Sequence, residues 1–209
     1  MKLLVATTNP GKLFEIKTFL SDVPIELVSL SDVGILEQPQ EHGKTFEENA
    51  IIKARYYAER SGLPALADDG GFEIDALDGE PGVKSHRWIH QDREDIDEEL
   101  IQYTLEKLRN IPLAHRGAQL RLVLVLALPD GSIHKAEEKV RGIIPLKPTN
   151  KRTPGFPYRS LLFLPEINKY YNYDELSADE TDKYNHRKKA LEKLKPILSR
   201  LVIGVNKRK

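Results

Sequence analysis

Apolar residues in this chain recur at two periods, and the switches between them divide it into elements. Leu3-Leu4-Val5-Ala6 is a short continuous apolar run, as in a strand buried on both faces. Asn9 then Pro10 marks a helix start, with Asn as N-cap and Pro at the first helical position, and Leu13, Ile16, Phe19 and Leu20 recur behind it at helical spacing. Thr45 and Glu48 match the Thr-x-x-Glu capping box and predict a second helix, with Ala50, Ala54, Tyr57 and Ala58 as its packing face and Gly62 with Pro64 as its stop. Pro64 to Asp69 reads as a strand ending in the acidic turn Asp68-Asp69-Gly70-Gly71, followed by a separate short strand, Phe72-Glu73-Ile74-Asp75-Ala76, and a turn at Gly79, Pro81 and Gly82. Ile96, Leu100, Ile101, Leu105 and Leu108 form the stripe of a third helix.

The pattern then changes. Leu120 to Leu128 is a long β-type run, Pro129-Asp130-Gly131 is a turn, and Ile133 to Ile143 can return as its hairpin partner. Pro145 to Pro157 reads as a loop, and the aromatic cluster Phe156, Tyr158 and Phe163 follows. Ser177 with Glu180 is another capping box, opening a region that carries Lys183, Asn185, His186 and Arg187. The last stripe is Ala190, Leu191, Leu194, Ile197, Leu198 and Leu201, with a kink expected at Pro196 and a frayed basic tail at Lys207-Arg208-Lys209. There is no repeat and no low-complexity linker, and the length fits one domain, 1–209, or one domain split into two lobes around a cleft.

Charge narrows the partners. Lys and Arg number 32, Asp and Glu also 32, and the formal net charge is zero, so no global field draws in a nucleic acid polymer or a membrane surface. Cysteine is absent, which excludes disulfides, thiolate catalysis and thiolate zinc sites. The apolar run at the N-terminus is too short for a signal peptide, and no run approaches the ~20 apolar residues of a membrane helix. A soluble, cytoplasmic protein is expected.

The candidate chemistry is local. Asp68 and Asp69 can hold a hard cation, and the glycines after them let a ligand approach the backbone. Thr7-Thr8-Asn9-Pro10-Gly11-Lys12 places hydroxyls, an amide and a lysine beside free helix N–H groups, a setting that favours an anion. Asn49 and Lys53, four apart, share one helix face.

Taken in order, these segments resemble the inosine/xanthosine triphosphate pyrophosphatase family. Thr7 to Lys12 matches its T-x-N-x-G-K opening, Glu41 to Ala50 its E-x-G-x-T-F-x-E-N-A block, Ala67 to Gly71 its A-D-D-S-G element, and Gly79 to Ser85 its G-x-P-G-x-x-S run. The resemblance implies an α/β fold, an elongated mixed β-sheet flanked by helices in a single domain of two lobes with the active-site cleft between them, and a homodimer. It also implies hydrolysis of nucleoside triphosphates between the α and β phosphates. Glu41, Asp68 and Asp69 would gather Mg²⁺, with Asp69 as general base. Thr7, Thr8, Asn9, Lys12, Lys53 and Gly70 would face the phosphates, and Phe156, Tyr158, Arg159, His186 and Arg187 the base.

Departures from the family pattern concentrate at the base. Gly70 stands for a serine, Gly155-Phe156-Pro157-Tyr158-Arg159-Ser160 for G-F-G-Y-D-P, and Thr181 for the lysine of K-x-x-x-S-H-R, which ends here in Asn185-His186-Arg187. Arg159 therefore replaces an acidic group with a donor fork, and altered base selectivity is expected. Two further readings stand beside the enzyme: the same hydrolysis on another nucleotide class, and a nucleotide sensor without turnover. The metal and lysine residues argue against the sensor.

Overall fold

The structure, a computed structural model, describes residues 1–90 and 92–206; the basic tail expected at Lys207-Arg208-Lys209 lies outside the described residues. The elements are β1 (Lys2–Val5), α1 (Pro10–Phe19), β2 (Glu26–Ser29), α2 (Phe46–Ser61), β3 (Ala65–Ile74), α3 (Asp97–Lys107), β4 (Gly117–Ala127), β5 (Ile133–Ile143), β6 (Phe163–Leu164), β7 (Lys169–Tyr170), α4 (Ala178–Tyr184) and α5 (His186–Asn206). The strands form one sheet in the order β2-β1-β3-β4-β5-β6-β7. It is mixed: β1 runs parallel to β2 and β3, whereas β6 is antiparallel to β5 and β7.

The chain divides into two compact units, Met1–Asp69 with Leu122–Glu138 and Arg187–Lys209, and Gly70–Arg121 with Lys139–His186. In the first unit the strands are covered on both faces. Leu3, Val5, Leu66, Leu122, Leu124 and Leu126 pack with Ile16 and Leu20 of α1 and Leu191, Leu194 and Leu198 of α5. Leu4, Ala65, Ala67, Val123, Val125 and Ala127 pack with Phe46, Ala50, Ala54, Tyr57 and Ala58 of α2. Alternate residues of each strand thus face alternate helix layers, which is why β1 and β4 read as unbroken apolar runs. The second unit has its own core, built on Phe72, Ile74, Leu100, Ile101, Val140, Leu161, Leu162 and Tyr171.

The helix signals hold at the level of single hydrogen bonds. Asn9 caps α1 by accepting from the Lys12 amide, the Thr45–Glu48 box caps α2, and Gly62 ends α2 at φ 67°. Ile96, expected in the α3 stripe, is instead the exposed residue before that helix. The last helix continues through Pro196 as one element.

The expected acidic turn also fails. Asp68-Asp69-Gly70-Gly71 is no turn, and the two strands read around it are the single strand β3. The glycines serve a close approach: a Cβ on Gly71 would overlap Ser85 Oγ and lie 2.5 Å from the Gly82 carbonyl oxygen. Ser85 Oγ there accepts from the Phe72 amide at 2.8 Å and donates to the Gly82 carbonyl at 2.6 Å. Gly71→Ala is therefore expected to lower stability by about 1–3 kcal/mol through overpacking. In urea unfolding the midpoint should fall with little change in slope.

Candidate active site

Two adjacent carboxylates in a strand must project to opposite faces, and β3 separates Asp68 from Asp69 in this way. Asp68 follows Leu66 onto the side of α1 and α5. Its Oδ2 accepts from Arg187 Nη2 at 2.8 Å and Nε at 3.3 Å, and Lys12 Nζ lies 3.3 Å from Oδ1. Asp69 follows Ala67 onto the side of α2, where Lys53 Nζ donates to its Oδ1 at 2.7 Å and also pairs with Glu41 at 3.0 Å.

The surroundings drive the two acids apart. Burial would raise the Asp68 carboxyl, but the charges of Lys12, Arg187 and Lys53 outweigh it and hold this group well below the usual carboxylate range. Asp69 moves the other way: burial raises it, Lys53 and Lys12 offset only part of that, and Glu41 adds to the rise. Burial opposes the Lys53 charge, yet Asp69, Glu41 and Asp68 prevail and keep the ammonium protonated.

Glu41, Asp68 and Asp69 are not drawn into one tight ligand set. Among the described residues, the one trio of such groups with ligand atoms all within 4.8 Å of each other lies elsewhere. The site also holds a buried carboxylate oxygen outside its hydrogen bonds: Asp68 Oδ1 accepts none, and the Lys12 ammonium 3.3 Å away is its charge partner. A buried carboxylate oxygen that accepts no hydrogen bond, among further carboxylates, suits a hard cation.

The phosphate candidates lie on one turn. Thr7 Oγ1 accepts from the Asn9 amide at 3.2 Å, Asn9 caps α1, and Thr8 is exposed beside them. Gly70 is the β3 residue after Asp69 and begins the second unit.

The base candidates divide. Phe156, Arg159 and His186 belong to the second unit, where the Arg159 guanidinium lies 4.1 Å from the Phe156 ring centre and 4.5 Å from that of Tyr173. His186 Nδ1 is 2.9 Å from the Tyr171 hydroxyl. Tyr158, read from sequence as a base contact, is a core residue: it stacks on Phe72 at 4.6 Å, and its hydroxyl donates to the Ser85 carbonyl at 2.6 Å. Arg187, also read as a base contact, instead directs its guanidinium to Asp68 and Glu15, because β3 has brought a buried carboxylate to the first turn of α5. Sequence reasoning missed Glu15 and Tyr171. For Glu15 the available signal was its position three residues after Lys12, hence on the same helix face.

The chain is similar to known proteins over nearly its whole length. The family model of the Ham1 family matches residues 3–197. A dITP/XTP pyrophosphatase from Thermus thermophilus is 43% identical over 93% of this chain and 90% of its own length. One from Desulforamulus reducens is 39% identical over 97% and 98%. Among solved structures, a HAM1 protein from Coxiella burnetii superposes with a TM-score of 0.82 at 33% identity, covering 96% of this chain and 99% of that one. The Staphylococcus aureus Ham1 protein gives 0.79 at 30% identity, covering 95% and 98%. The chain belongs to the Ham1 family. No helix among the described residues is long and apolar enough to cross a membrane.

The trio with close ligand atoms is His90, Asp95 and Glu99, and its acceptors are already engaged. Asp95 accepts from the Ile89 and His90 amides at 2.8 and 3.0 Å and lies 2.8 Å from His90 Nδ1. The Arg93 guanidinium, 3.1 Å from Glu99, supplies the positive charge. Burial tends to raise Asp95, but its bonds from Ile89 and His90 outweigh that and depress it. A depressed carboxyl stabilises the fold above its unfolded value of about 3.9, and this contribution fades as pH falls through the folded value. Asp95→Asn should therefore cost about 1.5–3 kcal/mol at neutral pH. Urea titrations of parent and variant should converge as pH drops below about 4.

Proposed function

We propose that this Ham1-family chain is a Mg²⁺-dependent nucleoside triphosphate pyrophosphatase acting on non-standard purine nucleotides, those of inosine, deoxyinosine and xanthosine. It would cleave the α–β anhydride to give the monophosphate and pyrophosphate. The observation that carries the reading is the pair Asp68 and Asp69, adjacent in one strand, with opposite shifts in acidity and a lysine on each. Pairs of titratable groups pushed apart in this way mark acid and base assignments. The relatives' name supplies the substrate class.

Glu41, Asp68 and Asp69 are the residues that would hold the cation, and Asp68 Oδ1, which accepts no hydrogen bond, fits one. When bound, such an ion neutralises polyphosphate charge and makes a bound water more acidic. The protein's own groups account for the remaining steps. Asp69, raised in pKa by burial and the nearby Glu41 charge and therefore a stronger base than an ordinary carboxylate, accepts the proton of the attacking water. The water oxygen bonds to the α-phosphorus, the bond to the bridging oxygen breaks, and that oxygen departs with pyrophosphate. Lys12, Lys53 and the amides at the start of α1, with Thr7, Thr8 and Asn9, stabilise the charge gained by the leaving group. Gly70 leaves the backbone open to phosphate.

Base choice rests on Phe156, Arg159 and His186 in this reading, since Tyr158 and Arg187 are engaged elsewhere. Arg159 brings only donors, which favours bases with acceptor edges over those the family's acidic residue would suit. The homodimer and the cytoplasmic setting follow from the resemblance.

A panel of nucleoside triphosphates assayed for pyrophosphate release with Mg²⁺ tests the function. Turnover of inosine and xanthosine triphosphates well above the standard nucleotides supports it; binding without turnover of any member refutes it in favour of a sensor. Asp69→Asn should lower kcat by about 10²–10⁴-fold with nucleotide still bound, and near-normal kcat would remove Asp69 from its role. Arg159→Asp should change the ratio of kcat/KM values among bases more than the rate on any one. Equal losses on every base would sink that assignment.

A further inference from the structure

Arg159 is buried, and three rings lie close to its guanidinium: Phe156 at 4.1 Å, Tyr173 at 4.5 Å and Tyr171 at 5.4 Å, each measured to the ring centre. All four residues belong to the second unit. Two of the rings have other tasks: Phe156 is a base candidate, and Tyr171 is a core residue whose hydroxyl lies 2.9 Å from His186 Nδ1. Tyr173 is half-buried and has no part in the chemistry above. Its place is set by the residue before it. Asn172, buried, accepts through Oδ1 from the Asp174 amide at 3.2 Å and the Thr153 hydroxyl at 3.3 Å. The Asn172 carbonyl accepts from the amides of Glu175 and Leu176 at 3.0 and 3.1 Å. The Thr153 carbonyl in turn accepts from the Phe156 amide at 2.9 Å. Thr153 thus joins the turn that carries Tyr173 to the loop that carries Phe156.

We propose that Tyr173 is a positioning residue for base choice: with Phe156 it holds the Arg159 guanidinium so that the fork meets the base in one fixed orientation. The proposal rests on the reading of Arg159 as a base contact. A guanidinium is attracted to the face of an aromatic ring and packs there through its own flat face. Its N–H donors point outward in the guanidinium plane, so ring contacts orient the fork without consuming a donor. A long arginine side chain without such restraint samples many rotamers, and a fork free to turn matches the acceptor edges of several bases about equally. The negative ring faces suit the cation that stands here and would repel the acid of the family pattern. Tyr173 and Arg159 therefore work as a pair, and the loss of either ring or cation should cost the same discrimination.

The test measures kcat/KM of the full chain on the nucleoside triphosphate panel with Mg²⁺ and takes the ratio between the best and the poorest base. Tyr173→Leu should shrink that ratio by about 2- to 30-fold, whereas Tyr173→Phe, which keeps the ring, should hold it at the parental value. In an Arg159→Met background Tyr173→Leu should shrink it no further, because the ring acts through the guanidinium. A parental ratio in folded Tyr173→Leu, equal losses on every base included, overturns the proposal and leaves the proposed function intact. So does a ratio lost in Tyr173→Phe, or a shrinkage that recurs in full in the Arg159→Met background. A parent that turns over every base alike overturns the proposal together with Arg159 as a base contact. A parent that turns over none overturns the proposed function as well. Should Tyr173→Leu fail to fold, Tyr173→Met fills the space without a ring face and is read by the same outcomes.

Discussion

Neighbouring side chains of a β-strand leave on opposite faces, and the candidate site is organised by that constraint. Because Asp68 and Asp69 are consecutive in β3, no single helix can serve both. Asp68 is answered from α1 and α5 by Lys12 and Arg187, and Asp69 from α2 by Lys53. Two chemically identical groups thereby acquire different environments: one carboxyl is held ionised by cations on its oxygens, the other is raised by burial and a nearby glutamate. A turn, the conformation expected from Asp-Asp-Gly-Gly, would not impose this division.

Burying such charges is costly, since each ion withdrawn from water loses several kcal/mol of hydration that only close, well-directed partners offset. The partners must therefore arrive in fixed positions, and the apolar cores supply that. Ile16 follows Glu15 directly in α1, and Leu191 and Leu194 lie one and two turns beyond Arg187 in α5; all three are buried in the same cluster as Leu66 of β3. On the other face Ala50, Ala54 and Tyr57 of α2 pack against Ala65 and Ala67 and so bring Lys53 to Asp69. The same alternation that fills both cores aims both carboxylates.

Much of this was legible from sequence because it is local. Asn9-Pro10, Thr45 with Glu48 and Ser177 with Glu180 act through bonds spanning three residues, so the starts of α1, α2 and α4 could be read without the fold. Motif order was enough to nominate Lys12, Glu41, Lys53, Asp68 and Asp69. What escaped depends on long-range packing. Nothing within a few residues of Gly71 announces that Ser85 and the Gly82 carbonyl close over it, so a strand was read as a turn. Arg187 and Asp68 are 119 residues apart in sequence, and a motif that groups Arg187 with His186 predicts a shared task. Tyr158 was ambiguous for the opposite reason: an aromatic in a motif is as well suited to a core as to a base, and its stacking on Phe72 places it in the core of the second unit.

The separation of His186 from Arg187 shows how a family pattern can persist while its residues diverge in use. Asn185 ends α4 with extended backbone at ψ 106°, so α5 restarts at His186, and successive side chains at a helix start point about 100° apart. His186 meets the Tyr171 hydroxyl and is counted with the second unit; Arg187 meets Asp68 and is counted with the first. Arg159 is set among the rings of Phe156, Tyr171 and Tyr173. The carboxylates and lysines proposed to handle phosphate all fall in the first unit, where each is tied to another by charge, and a change at one leaves a buried ion without its partner. The acids of β3 are therefore tightly constrained by the charges set against them.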